Sequence, residues 1–237
     1  MNELVDLWLY LSASPLFGLA ATLGVYALAA LASARLGQPP WANPVLWTVL
    51  LLAALLLVSG TSYAAYFAGA QFIHVLLGPA VVALAWLLWQ RRQALRRQAL
   101  ALGLAALAGG GAAAASAVLL ARAFGLPADI VASLAPKSVT APVAMGIAER
   151  IGGVPALAAV FAVLTGLIGA VTAPYLFDAL RIHSPAARGF ALGTASHGIG
   201  AARALQVHPE AGAHAGLAFA LQALLAALLL PLAMRWL

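Results

Sequence analysis

The chain has 237 residues, 65% of them hydrophobic and only 8% charged, with a mean hydropathy of +1.02. Soluble domains carry about a quarter charged residues, so a water-facing surface cannot be assembled from this composition and a bilayer has to act as solvent. The net charge of +6 would point to nucleic acid in a soluble protein, but here the basic residues are sparse and punctuate apolar runs, which speaks against that partner.

The N-terminus, Met1-Asn2-Glu3-Leu4-Val5-Asp6, is acidic where a secretory signal carries positive charge, so nothing cleavable is expected there. Between Asp6 and Arg35 lie 28 residues without a charge, and between Arg35 and Arg91 lie 55, with His74 the only titratable group. Further uncharged runs cover 98–121, 151–177 and 211–234. A helix needs about 20 apolar residues to cross the hydrocarbon, so the short runs hold one crossing each and the long run holds two. The expected spans are 15–35, 43–60, 74–90, 98–121, 154–178 and 212–235. Pro15 marks or kinks the start of the first. In the fourth, Ala108-Gly109-Gly110-Gly111-Ala112 lets a neighbouring helix come close. Gly212 and Gly216 stand at GxxxG spacing, which an Ala-rich chain produces by chance.

Orientation rests on Arg91, Arg92, Arg96 and Arg97, the one dense basic loop, which stays cytoplasmic. Glu3 and Asp6 are then outside and Arg35 inside. Arg181 and Arg188 are also inside if residues 127–150 dip into the membrane without crossing. Trp8, Trp41, Trp47, Trp86, Trp89 and Trp236 fall near expected span ends, as interfacial anchors do.

Two regions are not ordinary spans. The first runs Pro127-Ala128-Asp129-Ile130-Val131-Ala132-Ser133-Leu134-Ala135-Pro136-Lys137-Ser138-Val139-Thr140-Ala141-Pro142. Pro136 and Pro142 argue for a helix that stops and restarts, with Pro136 beginning the new helix and Ser133 or a nearby polar side chain capping it. A helix N-terminus offers free N–H groups and the positive end of a dipole to an anion. Lys137, the only lysine in the chain, and the hydroxyls of Ser138 and Thr140 add what a carboxylate requires. The bland alternative is a lysine snorkelling from a connecting helix.

The second region is Gly193-Thr194-Ala195-Ser196-His197-Gly198-Ile199-Gly200, followed by Arg203. Gly193, Gly198 and Gly200 are expected to loosen the backbone around two hydroxyls, an imidazole and a guanidinium. Ionisable groups at membrane depth are costly and usually functional, and His197 can carry a proton near neutral pH. Read blandly, His197 is a hydrogen-bonded core residue and Arg203 an interfacial charge. A faint repeat joins the regions. Leu77-Gly78-Pro79 and Leu134-Ala135-Pro136 stand 57 residues apart, with Pro79 as a further helix break. If each unit is a short helix plus a span, successive units are inverted.

These stretches, together with Ser62-Tyr63-Ala64-Ala65-Tyr66-Phe67-Ala68-Gly69, resemble the signature segments of the LrgB/CidB family from about residue 60 onward. One departure is Trp86-Leu87-Leu88-Trp89, where the family tends to have Pro-Leu-Tyr. The resemblance implies a multi-pass protein of the bacterial cytoplasmic membrane. Its site residues are then Tyr63, Tyr66, Lys137, Ser138, Thr140, Thr194, Ser196, His197 and Arg203. The expected fold is an all-α polytopic membrane protein with broken or re-entrant half-helices. It forms a single membrane domain, 1–237, with N-terminal spans in 1–60 and the LrgB-like core in 61–237. The expected function is alternating-access transport of a small monocarboxylate such as pyruvate, glycolate or glycerate. The alternative is an antiholin-like regulator that restrains a holin-like LrgA/CidA-type partner and so controls murein hydrolases and autolysis. Self-association is the other protein contact in view. The five histidines lack metal spacing and no nucleophile–base pair stands out, so neither an enzyme nor a metal or cofactor site is expected.

Overall fold

The computed structural model describes residues 16–76, 79, 89 and 92–235, the side chains of 74 and 94–98 excepted. The described residues are helical, with no strand among them. They fall into two compact units, Met1–Ala83 and Leu84–Leu237.

The first unit contains α1 (Leu16–Arg35), a short 3-10 turn (Pro40–Ala42), α2 (Pro44–Ser59) and α3 (Tyr63–Val75). Asn43 caps α2, its side chain accepting from the backbone N–H of Val45 and Leu46. The pairing of α1 with α3 depends on Gly18, where a Cβ would stand 2.8 Å from the backbone nitrogen of Ala70. The helix α3 was not expected from the sequence. The expected span 74–90 lies almost wholly outside the described residues, as do Pro15, Arg91, Trp8, Trp86 and Trp236. Pro79 is helical and exposed, but its neighbours are not described, so the break expected there is not visible.

The second unit holds α4 (Arg92–Ala123), α5 (Ala128–Leu134), α6 (Ala141–Arg150), α7 (Pro155–Ala179), α8 (Pro185–Val207) and α9 (Pro209–Ala233). Arg92 and the residues after it do not form a loop. They are the first turns of the 32-residue α4, because Arg, Gln, Ala and Leu are all strong helix formers. Charge at a span end orients a helix whether it is coiled or helical, so the orientation argument is unaffected. Among the described residues, four helices are long and apolar enough to cross a membrane: Leu16–Arg35, Ala99–Ala123, Pro155–Ala179 and Pro209–Ala233. This is a helical membrane protein.

Its packing is that of a membrane protein too. The buried side chains are mostly alanine, with Ala144, Ala148, Ala158, Ala162, Ala170, Ala215 and Ala218 completely enclosed, while leucines such as Leu100, Leu104, Leu164 and Leu228 face outward. Lipid is as apolar as leucine, so helix association gains little from hiding large side chains and much from close backbone contact. The clearest case is α7, which presents Ala158, Ala162, Gly166, Ala170 and Ala173 inward.

The element α8 is two legs rather than one rod. Ser196 (φ −125°, ψ 17°) and His197 (φ 42°, ψ −136°) leave the helical region, and the chain turns back there. Leu192 and Ala204, about 18 Å apart in a straight helix, share one packed cluster. A Cβ on Gly200 would lie 2.6 Å from the carbonyl oxygen of Leu192. The first leg, 185–195, runs alongside α9 in the same direction, Gly189 against Ala211 and Gly193 against Ala215. The second leg, 198–207, meets α9 at Gly212, whose Cβ would lie 2.6 Å from the Cα of Leu205. Gly212 is therefore a packing glycine, not a chance one.

Candidate functional site

The first break separates α5 from α6. Residues 135–139 form a turn, Thr140 is the N-cap of α6, and Pro142 stands in its first turn. The sequence pointed to Pro136 as the start of the new helix. Instead Pro136 is fully buried within the turn, and the helix-initiating proline is Pro142, whose missing N–H falls where no intrahelical partner exists anyway. Ser133 does not cap α6. Its hydroxyl donates to the carbonyl of Asp129 (2.6 Å) and accepts from the N–H of Val154 (2.8 Å), tying α5 to the start of α7.

The second break is the turn of α8 at Ser196 and His197. The expected loosening glycines, Gly193, Gly198 and Gly200, keep helical geometry, and the reversal is made by a non-glycine pair. Gly193 and Gly200 instead permit close backbone approach. His197 is 4% exposed and its Nε2 lies 2.8 Å from the carbonyl oxygen of Ala162 on α7. A carbonyl only accepts, so Nε2 carries the proton and Nδ1 is left as the ring's acceptor. The glycines of α7 make room for this reversal. A Cβ on Gly166 would lie 2.7 Å from Cε1 of His197, and one on Gly169 would lie 2.9 Å from the Cβ of Ser196.

The two breaks lie side by side. Thr140 Cγ2 is 3.9 Å from the position a Cβ would take on Gly198. The first broken segment is tied to the N-terminal end of α7 through Ser133 and Val154. The second departs from its C-terminal end, where Arg188 meets Asp178 at 2.5 Å. Two broken segments thus approach from opposite ends of a 25-residue helix and meet beside its middle. At the meeting point α6 and the second leg of α8 both begin, and helix N-termini favour anions. The first leg of α8 ends there, with carbonyls suited to a cation.

The polar atoms at the breaks are unusually short of partners. Ser138 Oγ, Thr140 Oγ1 and Ser196 Oγ are buried and, among the described residues, accept or donate no hydrogen bond. Each such group costs about 1–3 kcal/mol when left unpaired. Gln222 Oε1 on α9 is in the same condition. Ser138 and Gln222 line a cavity of about 230 Å³ between α4, the first turn and α9. Gly110 and Gly111 of α4 border it, and the glycine run also brings neighbours close. A Cβ on Gly109 would lie 3.2 Å from Thr194 Cγ2, and Gly110 is pressed by the Gln222 amide. Gln222 was missed in the sequence, although a lone amide in the otherwise apolar stretch after His214 is a legible signal.

The remaining expected residues are placed as follows. Thr194 is buried and its hydroxyl donates to the carbonyl of Phe190 at 2.9 Å, one turn back. Lys137 is half-buried in the first turn and lines neither cavity described here. Arg203 is 7% exposed on the second leg. Tyr63 and Tyr66 belong to the first unit. Tyr63 is exposed and stacks on Phe67 with centroids 5.6 Å apart. The hydroxyl of Thr22 donates to the carbonyl of Gly18, so the 2.7 Å bond between Thr22 and Tyr66 is donated by Tyr66. That bond fastens α3 to α1. Among the described residues no group of three His, Asp or Glu could hold a metal.

The chain matches the LrgB-like family over residues 22–236. It is 39% identical to the uncharacterized protein YxaC of Bacillus subtilis (strain 168), over 70% of this chain and 73% of that protein. It is 32% identical to the holin-like protein CidB of Staphylococcus aureus (strain N315), over 81% of this chain and 84% of CidB. No solved structure matches.

Proposed function

The chain belongs to the LrgB-like family of multi-pass bacterial membrane proteins, and from that premise we propose that it acts as an antiholin-like regulator in the cytoplasmic membrane. In this reading it works with a small holin-like partner of the LrgA/CidA type and restrains it, so that murein hydrolases and autolysis are held in check. The observation that supports it is the likeness to CidB, a holin-like protein, across 81% of the chain. Co-expression tests it. Cells producing a CidA-like protein together with this chain lyse later than cells producing the partner alone, and an unchanged lysis time would contradict the reading.

A second reading is favoured by the geometry: transport of a small monocarboxylate of the pyruvate, glycolate or glycerate class by alternating access. The observation that supports it is the nearness of two broken segments carrying three buried hydroxyls that are unpartnered among the described residues, Ser138, Thr140 and Ser196. Polar groups that gain nothing from the protein cost stability, whereas a carboxylate held between two helix N-termini and those hydroxyls gives them partners. A surface that only restrains a partner by packing has no use for them. His197 serves here as the pin that holds the second break against α7, with its Nδ1 left to accept a proton or a substrate hydroxyl's hydrogen bond. Counterflow of labelled pyruvate in proteoliposomes containing this chain alone tests the reading. Uptake that depends on internal pyruvate supports it, and none from folded protein contradicts it. The two readings are compatible, since altered traffic of organic acids can itself change lysis.

A further inference from the structure

A second cavity, of about 270 Å³, opens at the C-terminal end of α7 between the two legs of α8 and the start of α9. Its ionisable lining consists of His183, Arg188, Arg203 and His208, all basic, and the rest is mostly apolar, Phe177 and Leu192 included. These residues are graded by depth. His183 and His208 are exposed at the rim, Arg188 is half-buried in the wall, and Arg203 is 7% exposed. Arg188 is held in place. Its Nε donates to the carbonyl of Ile182, an amino group meets Asp178 at 2.5 Å, and the guanidinium lies 5.7 Å from the Phe177 ring centroid. His208 Nδ1 accepts from the N–H of Glu210 at 3.2 Å, so its Nε2 is the donor. The nearby carboxylates, Asp178 and Glu210, are not part of the lining.

We propose that this cavity is a vestibule that holds a small monocarboxylate before it reaches the paired breaks. The identity of the anion rests on the transport reading, whereas the electrostatic claim stands on the cavity itself. A concave site whose charged lining is the two guanidiniums of Arg188 and Arg203, the first shared with Asp178, and whose other walls are mostly apolar concentrates small anions. Arg203 stands six residues after His197, about 9 Å along the leg that leaves the reversal, so the charge leads inward toward the break. The sequence singled out Arg203 but gave no sign that Arg188, His183 and His208 share its cavity, because only the reversal of α8 brings them together.

The chain has no cysteine, which makes a single introduced thiol a clean reporter. In full-length protein in zwitterionic micelles, Val207→Cys at the cavity is labelled by a negatively or a positively charged methanethiosulfonate. The control is Leu205→Cys, similarly exposed (62% against 63%) but outside the lining. The ratio of negative to positive labelling is expected to be at least fivefold higher at 207 than at 205. It should fall at least twofold with His183→Gln, a surface change that leaves folding intact, and further with Arg188→Gln. Millimolar pyruvate should slow labelling at 207 and not at 205. Equal ratios at the two positions would overturn the vestibule. So would protection by phosphatidylglycerol but not by pyruvate, which would make the cavity a lipid headgroup site. If labelling and protection behave as stated while proteoliposomes show no uptake, the transport reading fails and the anion site stands.

Discussion

Thr140 Cγ2 lies 3.9 Å from where a Cβ on Gly198 would stand, which sets two helix breaks 57 residues apart in the chain side by side. Each break is the start of a ten-residue helical stretch, 141–150 and 198–207. Two half-helices of this length reach only about halfway through a 30 Å hydrocarbon layer. Irregular backbone at that depth is tolerated where it is enclosed by protein or lines a cavity, and the surrounding α4, α7 and α9 supply both.

The approach from opposite ends of α7 predicts opposite exposure of the connecting loops. Leu126 precedes the first broken segment and Leu180 follows α7, and both are exposed, at 40% and 61%. In intact cells an impermeant thiol reagent should label Leu126→Cys, and should label Leu180→Cys only after the membrane is opened. Labelling of both from one side would show that α7 does not cross between them.

The unpartnered hydroxyls predict a separation of stability from function. Ser138→Ala, Thr140→Val and Ser196→Ala remove no hydrogen bond made among the described residues, so melting temperature in detergent should hold steady or rise slightly. Pyruvate uptake should fall at least tenfold in the combined variant. A lowered melting temperature with full uptake would assign these hydroxyls to structure alone.

Close packing around the second break sets a third expectation. Gly166→Ala places a methyl 2.7 Å from the His197 ring, and Gly169→Ala collides with the Ser196 side chain. Overpacking of this kind costs about 1–3 kcal/mol. Gly146→Ala meets nothing within 4 Å on an exposed helical face and should be neutral or stabilising by up to about 1 kcal/mol. Thermal unfolding of the three variants in one detergent checks the order, and equal melting temperatures would contradict the tight fit of α8 on α7.

Much of this arrangement was legible before any coordinates. Uncharged runs located α1, α2, α4, α7 and α9 to within a few residues at most ends, because a bilayer penalises charge so steeply. The proline spacing at Pro136 and Pro142 revealed the first break, and the polar run from Thr194 to Arg203 marked the second. The detail inside each break was not legible. Choosing between two prolines as the helix start depends on where the turn is buried. A reversal centred on Ser196 and His197 contradicts local preference, since glycine is the residue expected at positive φ. Tertiary contacts, the Ala162 carbonyl and the glycines of α7, override that preference. Gln222 escaped notice for a different reason: its amide oxygen, unpaired among the described residues, matters only because α4 and the first turn close around it.

The strained histidine gives a fourth expectation. At φ 42° and ψ −136° a side-chain-bearing residue costs about 1–3 kcal/mol. His197→Gly and His197→Ala both lose the bond to Ala162, but only glycine relieves the strain. The glycine variant should therefore melt above the alanine variant. The reverse order would mean that His197 is not held in this conformation.

The most direct measurement joins the geometry to the function. In this cysteine-free chain, Thr140→Cys and Gly198→Cys are combined, and pyruvate uptake by proteoliposomes is followed before oxidation, after it, and after reduction. The Gly198 position has open space for a side chain, with nothing within 4 Å but Thr140 Cγ2 at 3.9 Å, so side chains at 140 and 198 face one another. The account predicts that the two thiols cross-link readily, that uptake stops when they do, and that reductant restores it. Thiols that fail to join, or a cross-linked protein that transports at the parental rate, would contradict the claim that the meeting point of the two breaks is the working site.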